Sequence, residues 1–109
     1  MVRVIRSLSS REREGLALLS THGVADTAST LLAASVVGHG AEGNPLVATL
    51  LADGYGFAAG VMLAVVGAVA VAYPTVAEWA DLPAWFAWLL AVIGALVAAT
   101  NLLVVGVAL

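Results

Sequence analysis

A chain of 109 residues has the length of one domain. Its 62% apolar and 10% charged side chains depart from the roughly 45–50% and about 25% of soluble domains, so too few polar groups exist to cover a water-facing surface. The absence of cysteine excludes disulfides, thiolate metal sites and thiol nucleophiles, and a net charge of −3 offers nothing to nucleic acid.

Lipid accepts apolar surface, so the expected fold is all-α: an integral membrane bundle of three transmembrane helices behind a short polar N-terminal segment. That segment, residues 1–14, holds every basic side chain, Arg3, Arg6, Arg11 and Arg13. "SSRERE" marks a helix start, with Ser9 or Ser10 as N-cap and Glu12 or Glu14 in the first turn. Val2, Val4, Ile5 and Leu8 suit a helix lying on the lipid interface. A frayed tail whose arginines only set orientation fits the same residues. A basic start before an apolar stretch is also the pattern of a signal peptide. Here the first apolar segment is interrupted by His22 and Asp26, and further apolar segments follow it. The expectation is therefore a retained, multi-pass protein of the cell membrane.

The three helices are expected at about residues 15–38, 45–73 and 83–109, together forming one transmembrane domain over 15–109. The first matches the roughly 20 residues that a hydrocarbon layer of about 30 Å requires. The second ends before Pro74 and is long for one crossing, so it tilts or bends at "ADGYG". The third has no polar side chain from Leu89 to Ala99. The Lys/Arg bias puts the N-terminus in the cytoplasm, the 38–45 turn outside, the 74–82 loop inside and the C-terminus outside. Trp79, Trp85, Phe86 and Trp88 read as an aromatic belt at one border. Gly56, Gly60, Ala64, Ala68 and Ala72 recur every four residues, and Ala84, Ala87, Ala91, Ala95 and Ala98 form a similar series. Small residues let helices approach closely where lipid gives no hydrophobic drive. Contact within one chain is the expected use. Contact between copies, or with other membrane subunits, is the alternative.

The chemistry is concentrated in the first helix and the turn after it. His22, Asp26 and Thr30 are spaced i, i+4, i+8 and share a face of an α-helix. An ionisable group near mid-membrane costs at least about 2.5–3.5 kcal/mol and faces a partner or a wet cavity. His22 and Asn101 are the candidate partners of Asp26. Asn44 followed by Pro45 is a helix start, with Asn as cap and Pro at the first position. Glu42 lies just before that helix, where a carboxylate is favoured by the dipole, and it can reach toward His39 or His22. His39, Glu42 and Asp26 together could make a metal site. With two histidines and no cysteine the sequence assigns no metal and no cofactor. Ser20, Ser29 and Ser35 stand in no nucleophile motif, and an Asp26–Glu42 acid pair forms only if the turn folds inward, so no catalytic residue is assigned.

"ADTASTLLAASVVGHGAEGNPL" resembles a small prokaryotic integral-membrane family catalogued as domain of unknown function 5658. Its members look like three- or four-helix proteins, with Asp-Thr-x-x-Thr in the first helix and a Gly-rich turn leading into Glu-x-Asn-Pro. The matching positions are Asp26, Thr27, Thr30, Gly38, Gly40, Glu42, Asn44 and Pro45, and the resemblance covers about residues 20–60. Where many members carry an Asn shortly before the Asp and a Lys in the second helix, this chain has His22 or Gly23 and no Lys. The resemblance implies an architecture and a site, and names no activity. The expected function is that of a small integral membrane protein whose polar cluster, Asp26, Thr30, Glu42 and Asn44 with His22 and Thr27, serves a transport, channel or accessory subunit. A structural or oligomerisation scaffold is the alternative, and an intramembrane enzyme a third class.

Overall fold

A computed structural model describes residues 8–38, 40 and 42–109. The expectations placed on residues 1–7 and on His39 lie outside the described residues. Everything regular among those described is helical. Helix α1 (Ser10–Leu18), a π-helical turn (Leu19–Ala25) and α2 (Asp26–Val37) run on without interruption as one first helix. A turn leads to the short α3 (Pro45–Asp53), which breaks at Gly54 before α4 (Tyr55–Trp79). A tight turn then leads to α5 (Ala84–Ala108).

Local chemistry explains each boundary. Ser9 opens α1 through a capping box. Its hydroxyl accepts from the Glu12 N–H at 3.1 Å, and the Glu12 carboxylate accepts from the Ser9 N–H. The cap expected at Ser9 or Ser10 thus forms at Ser9, and the helix it opens runs on without a boundary into the segment expected from Gly15. In the π-helical turn, Ser20 and Thr21 donate their hydroxyls to the carbonyls of Leu16 and Ala17. Such back-bonding competes with the backbone ladder. The first helix ends at Gly38, whose φ of 87° no side-chain-bearing residue adopts cheaply.

Of the two alternatives expected for the second segment it takes the bend, at Gly54 with φ 139°, inside the segment. At its far end it departs from expectation and does not stop before Pro74. Pro74 lies inside α4, which continues to Trp79. A proline withholds one N–H from the carbonyl four residues earlier, here that of Ala70. The first helix covers that carbonyl. Gly15 comes so close that a Cβ on it would lie 2.7 Å from the Ala70 oxygen. A neighbouring helix that shields a freed carbonyl is what makes proline tolerable in apolar surroundings.

The helices run up, down and up. Contacts between the first helix and α5 rise together in sequence, Arg11 with Leu82, His22 with Leu90 and Thr30 with Asn101. Contacts with α4 run oppositely, Gly15 with Ala70, Gly23 with Val66 and Ala34 with Tyr55. Two small apolar cores hold the ends. One is Leu18, Tyr73, Ala77 and Ala87; the other is Ala34, Leu51 and Ala58. A polar layer lies between them. Beyond the first core, Arg11 binds Glu14 at 3.1 Å, Glu78 at 3.1 Å and the Leu82 carbonyl at 2.6 Å. Glu14, then Glu78, hold the guanidinium above its ordinary range. Glu14 is only 2% exposed, so the N-terminal segment is not the wholly surface feature its composition implied.

The small-residue series are used differently from expectation. Gly56, Gly60, Ala64, Ala68 and Ala72 are exposed, and among the described residues no other part of the chain lies within 4 Å of a Cβ placed on Gly56 or Gly60. Helix α4 instead buries Ala58, Ala70, Tyr73 and Ala77. On α5 the buried line is Ala87, Ala91, Gly94, Ala98 and Val105, while Ala84 and Ala95 are exposed. At 3.6 residues per turn, four-residue steps drift by about 40° each, so only alternating three- and four-residue steps stay on one face. Two helices, Tyr55–Trp79 and Ala84–Ala108, are long and apolar enough to cross a membrane.

Candidate functional site

The polar layer is centred on Asp26, the first residue of α2. At about 1.5 Å per residue it lies about 16 Å from the Val37 end of that helix. Thr30, one turn on, donates its hydroxyl to Asp26 Oδ1 at 3.1 Å. Ser29 donates its hydroxyl to the Asp26 carbonyl at 3.1 Å. From α5, Asn101 Nδ2 donates to both Ser29 Oγ and Thr30 Oγ1, each at 3.1 Å. Each hydroxyl has one proton and has already committed it. The group that Asn101 turns toward them is therefore its NH2, which fixes the orientation of the amide. The result is a directed chain, Asn101 to Thr30 to Asp26, with the Asp26 carboxyl as its acceptor end.

His22 is not part of that chain. Its Nε2 bonds the Leu90 carbonyl at 2.6 Å, and its ring lies over Gly94, where a Cβ would sit 2.8 Å from Cδ2 and Nε2. The carbonyl can only accept, so Nε2 carries the proton. The pairing of His22 with Asp26 suggested by their four-residue spacing does not form. The π-helical turn that contains His22 winds more loosely than an α-helix and changes the angle between the two side chains. Asn101, the other candidate partner, reaches Asp26 through Thr30.

Thr27 points to another side. It is buried with its hydroxyl unpartnered among the described residues, beside Ala59 and Leu63 of α4. Glu42 and Asn44 sit together in the turn before α3. Asn44 caps that helix, its side-chain oxygen accepting from the Leu46 and Val47 N–H groups at 3.0 and 3.4 Å, and Pro45 takes the first position. Glu42 Oε1 accepts from the Asn44 N–H at 3.2 Å. No hydrogen bond joins Glu42 to Asp26, but Glu42 and Asn101 line one cavity of about 110 Å³. Among the described residues no three metal-ligating side chains converge.

Gly94 and Leu90 are the site residues that the sequence reading passed over. Ser29 carried a signal, since it flanks Thr30 on the same helix. Gly94 and the Leu90 carbonyl carried none, because a niche for a ring exists only once two helices meet. The Arg11–Glu14–Glu78 network was also missed; its only trace was that Glu78 and Asp81 are the charged residues near the end of α4.

A family whose sequence model is described as a domain of unknown function, DUF5658, matches residues 17–107. No curated protein and no solved structure matches the chain.

Proposed function

The chain belongs to the DUF5658 family, and we propose that it is a multi-pass subunit of the cell membrane in which Asp26 takes up and releases a proton. Three crossings are proposed, the first helix joining the two long apolar ones, with the arginine-bearing N-terminus in the cytoplasm. Several features support that placement. Trp79, Trp85 and Trp88 are exposed at one end. Arg11, Arg13, Glu12, Glu14, Glu78 and Asp81 lie at that same end, and Glu42 and Asp53 at the other. Between the ends, among the described residues, His22 and Asp26 are the acidic and basic side chains. Large apolar side chains such as Val71, Val65, Leu96 and Leu103 face outward along α4 and α5, a surface that water would not tolerate on this scale.

The observation that carries the reading is the directed chain from Asn101 through Thr30 to the Asp26 carboxyl. Interhelical hydrogen bonds in membranes contribute only about 0.6 kcal/mol each on average, against at least about 2.5 kcal/mol for placing a carboxyl there. Stability alone therefore does not account for an ionisable group where an amide or hydroxyl would serve. The test uses purified protein in liposomes bearing a pH gradient and an entrapped pH-sensitive dye. The wild type should dissipate the gradient faster than empty liposomes. Asp26→Asn, which can still accept the Thr30 bond, should elute and melt like the wild type yet lose that excess rate. Equal rates in the two proteins would remove the proposal. The second reading, an oligomerisation scaffold, is favoured by one feature: the series Gly56, Gly60, Ala64 and Ala68, exposed among the described residues.

A further inference from the structure

The cavity shared by Glu42 and Asn101 has a composition of its own. Val37 and Gly38 from the end of the first helix, Glu42 and Gly43 from the turn, and Asn101 and Val104 from α5 enclose about 110 Å³. That is well above the roughly 10–15 Å³ that one water needs. What these residues offer is acceptors. Asn101 has committed its NH2 to Ser29 and Thr30, so the group it has left for the cavity is its carbonyl oxygen, Oδ1. Glu42 uses one carboxylate oxygen for the Asn44 N–H, and among the described residues the other accepts no hydrogen bond. The first helix ends here, bringing the negative end of its dipole and its last free carbonyls. Among the described lining residues only Asn101 carries a side-chain donor, and both of its N–H groups are taken by Ser29 and Thr30.

We propose that this cavity binds a small monovalent metal cation, held by the Glu42 carboxylate and Asn101 Oδ1. A single carboxylate matches a single positive charge, whereas calcium draws on six to eight oxygens and usually several carboxylates. The site is linked to the polar layer through one side chain. A cation on Asn101 Oδ1 polarises the amide, which strengthens its donation to Thr30 and hence Thr30's donation to Asp26. Binding itself does not depend on the proton-transfer reading. Only that link to Asp26 rests on it.

The experiment is thermal unfolding of the purified full chain in detergent. NaCl, KCl or CaCl2 replaces choline chloride stepwise at constant ionic strength. The expected result is a saturable rise in Tm with sodium or potassium that is absent with choline. The rise should be lost in Glu42→Gln, whose amide can still accept the Asn44 N–H, and retained in Asp26→Asn. No rise with any monovalent metal ion, a rise retained by Glu42→Gln, or a response to calcium alone would each overturn the proposal. A rise that persists in a chain showing no proton flux leaves this site standing and removes the proposed function instead.

Discussion

Single atoms decide the closest contacts. Gly94 has no side chain, and the His22 ring occupies the space where one would be. Replacing Gly94 with Ala forces the imidazole away and breaks the bond from Nε2 to the Leu90 carbonyl. Overpacking of this kind costs about 1–3 kcal/mol. Gly94→Ala should therefore lower the Tm in detergent, and a Gly94→Ala, His22→Ala double variant, which vacates the niche, should recover part of the loss. An unchanged Tm in the single variant would show that the ring is not held there. Glu14 illustrates the opposite constraint. Its carboxylate is buried, and Arg11 reaches it while also holding Glu78 and the Leu82 carbonyl. One guanidinium thus ties the start of the first helix to the end of α4 and the turn beyond it. Nearby, the Tyr73 hydroxyl is buried beside Glu14 and Arg11 without a hydrogen-bond partner among the described residues.

At the level of elements, the turn between α4 and α5 is the most specified. The Leu82 N–H bonds the Ala77 carbonyl at 2.9 Å and the Asp81 N–H bonds the Glu78 carbonyl at 3.3 Å. These are the two bonds of a Schellman motif, with Asp81 in the left-handed position at φ 52°. Leu82 packs back on Ala77, as the motif's apolar contact requires. Left-handed backbone costs an L-residue roughly 1–2 kcal/mol, less for Asp, and Gly adopts it freely. Asp81→Gly should accordingly raise the Tm by an amount equivalent to about 0.5–1 kcal/mol. A lower Tm would mean that the Asp81 carboxylate contributes something its position does not reveal. The break at Gly54 is a second designed feature. It lets α3 turn aside and bury Leu51 against Ala34 and Ala58, while Tyr55 donates its hydroxyl to the Ala34 carbonyl at 3.0 Å. Both contacts hold the turn bearing Glu42 near the end of the first helix.

On the scale of the whole molecule, three long helices bury very little of one another. Among the described residues the chain's own core is two small clusters, and Gly56, Gly60, Ala64, Ala68 and Ala72 leave α4 with an exposed small-residue surface that winds round the helix. Bulky apolar side chains elsewhere on α4 and α5 suit lipid, but small residues expose backbone and gain little from it. If copies or other subunits pack on that surface, backbone contact is the attraction. Gly60→Leu should then shift the wild-type oligomer seen by light scattering in detergent to a smaller species, with the Tm of the chain itself nearly unchanged, since among the described residues no other part of the chain touches Gly60. A wild type already monomeric under these conditions would withdraw the scaffold reading.

What the sequence by itself determined follows from local chemistry. The all-helical class comes from composition. The cap at Ser9, the Asn44–Pro45 start and the weakness at Gly54 come from residues whose backbone preferences act within a few positions. The stretch from Asp26 to Pro45 resembled one family, and a match over residues 17–107 shows the chain to be a member. Tertiary structure decided the rest. Pro74 stays inside a helix because Gly15 of another helix covers the freed carbonyl. His22 turns to Leu90 and Gly94 because a π-helical turn alters its angle to Asp26. Asn101 becomes part of the site because its helix runs alongside the first. Spacing along one helix fixes only which side chains are neighbours on that helix. Which of them meet a partner depends on how separate helices are aligned, and no local preference encodes that.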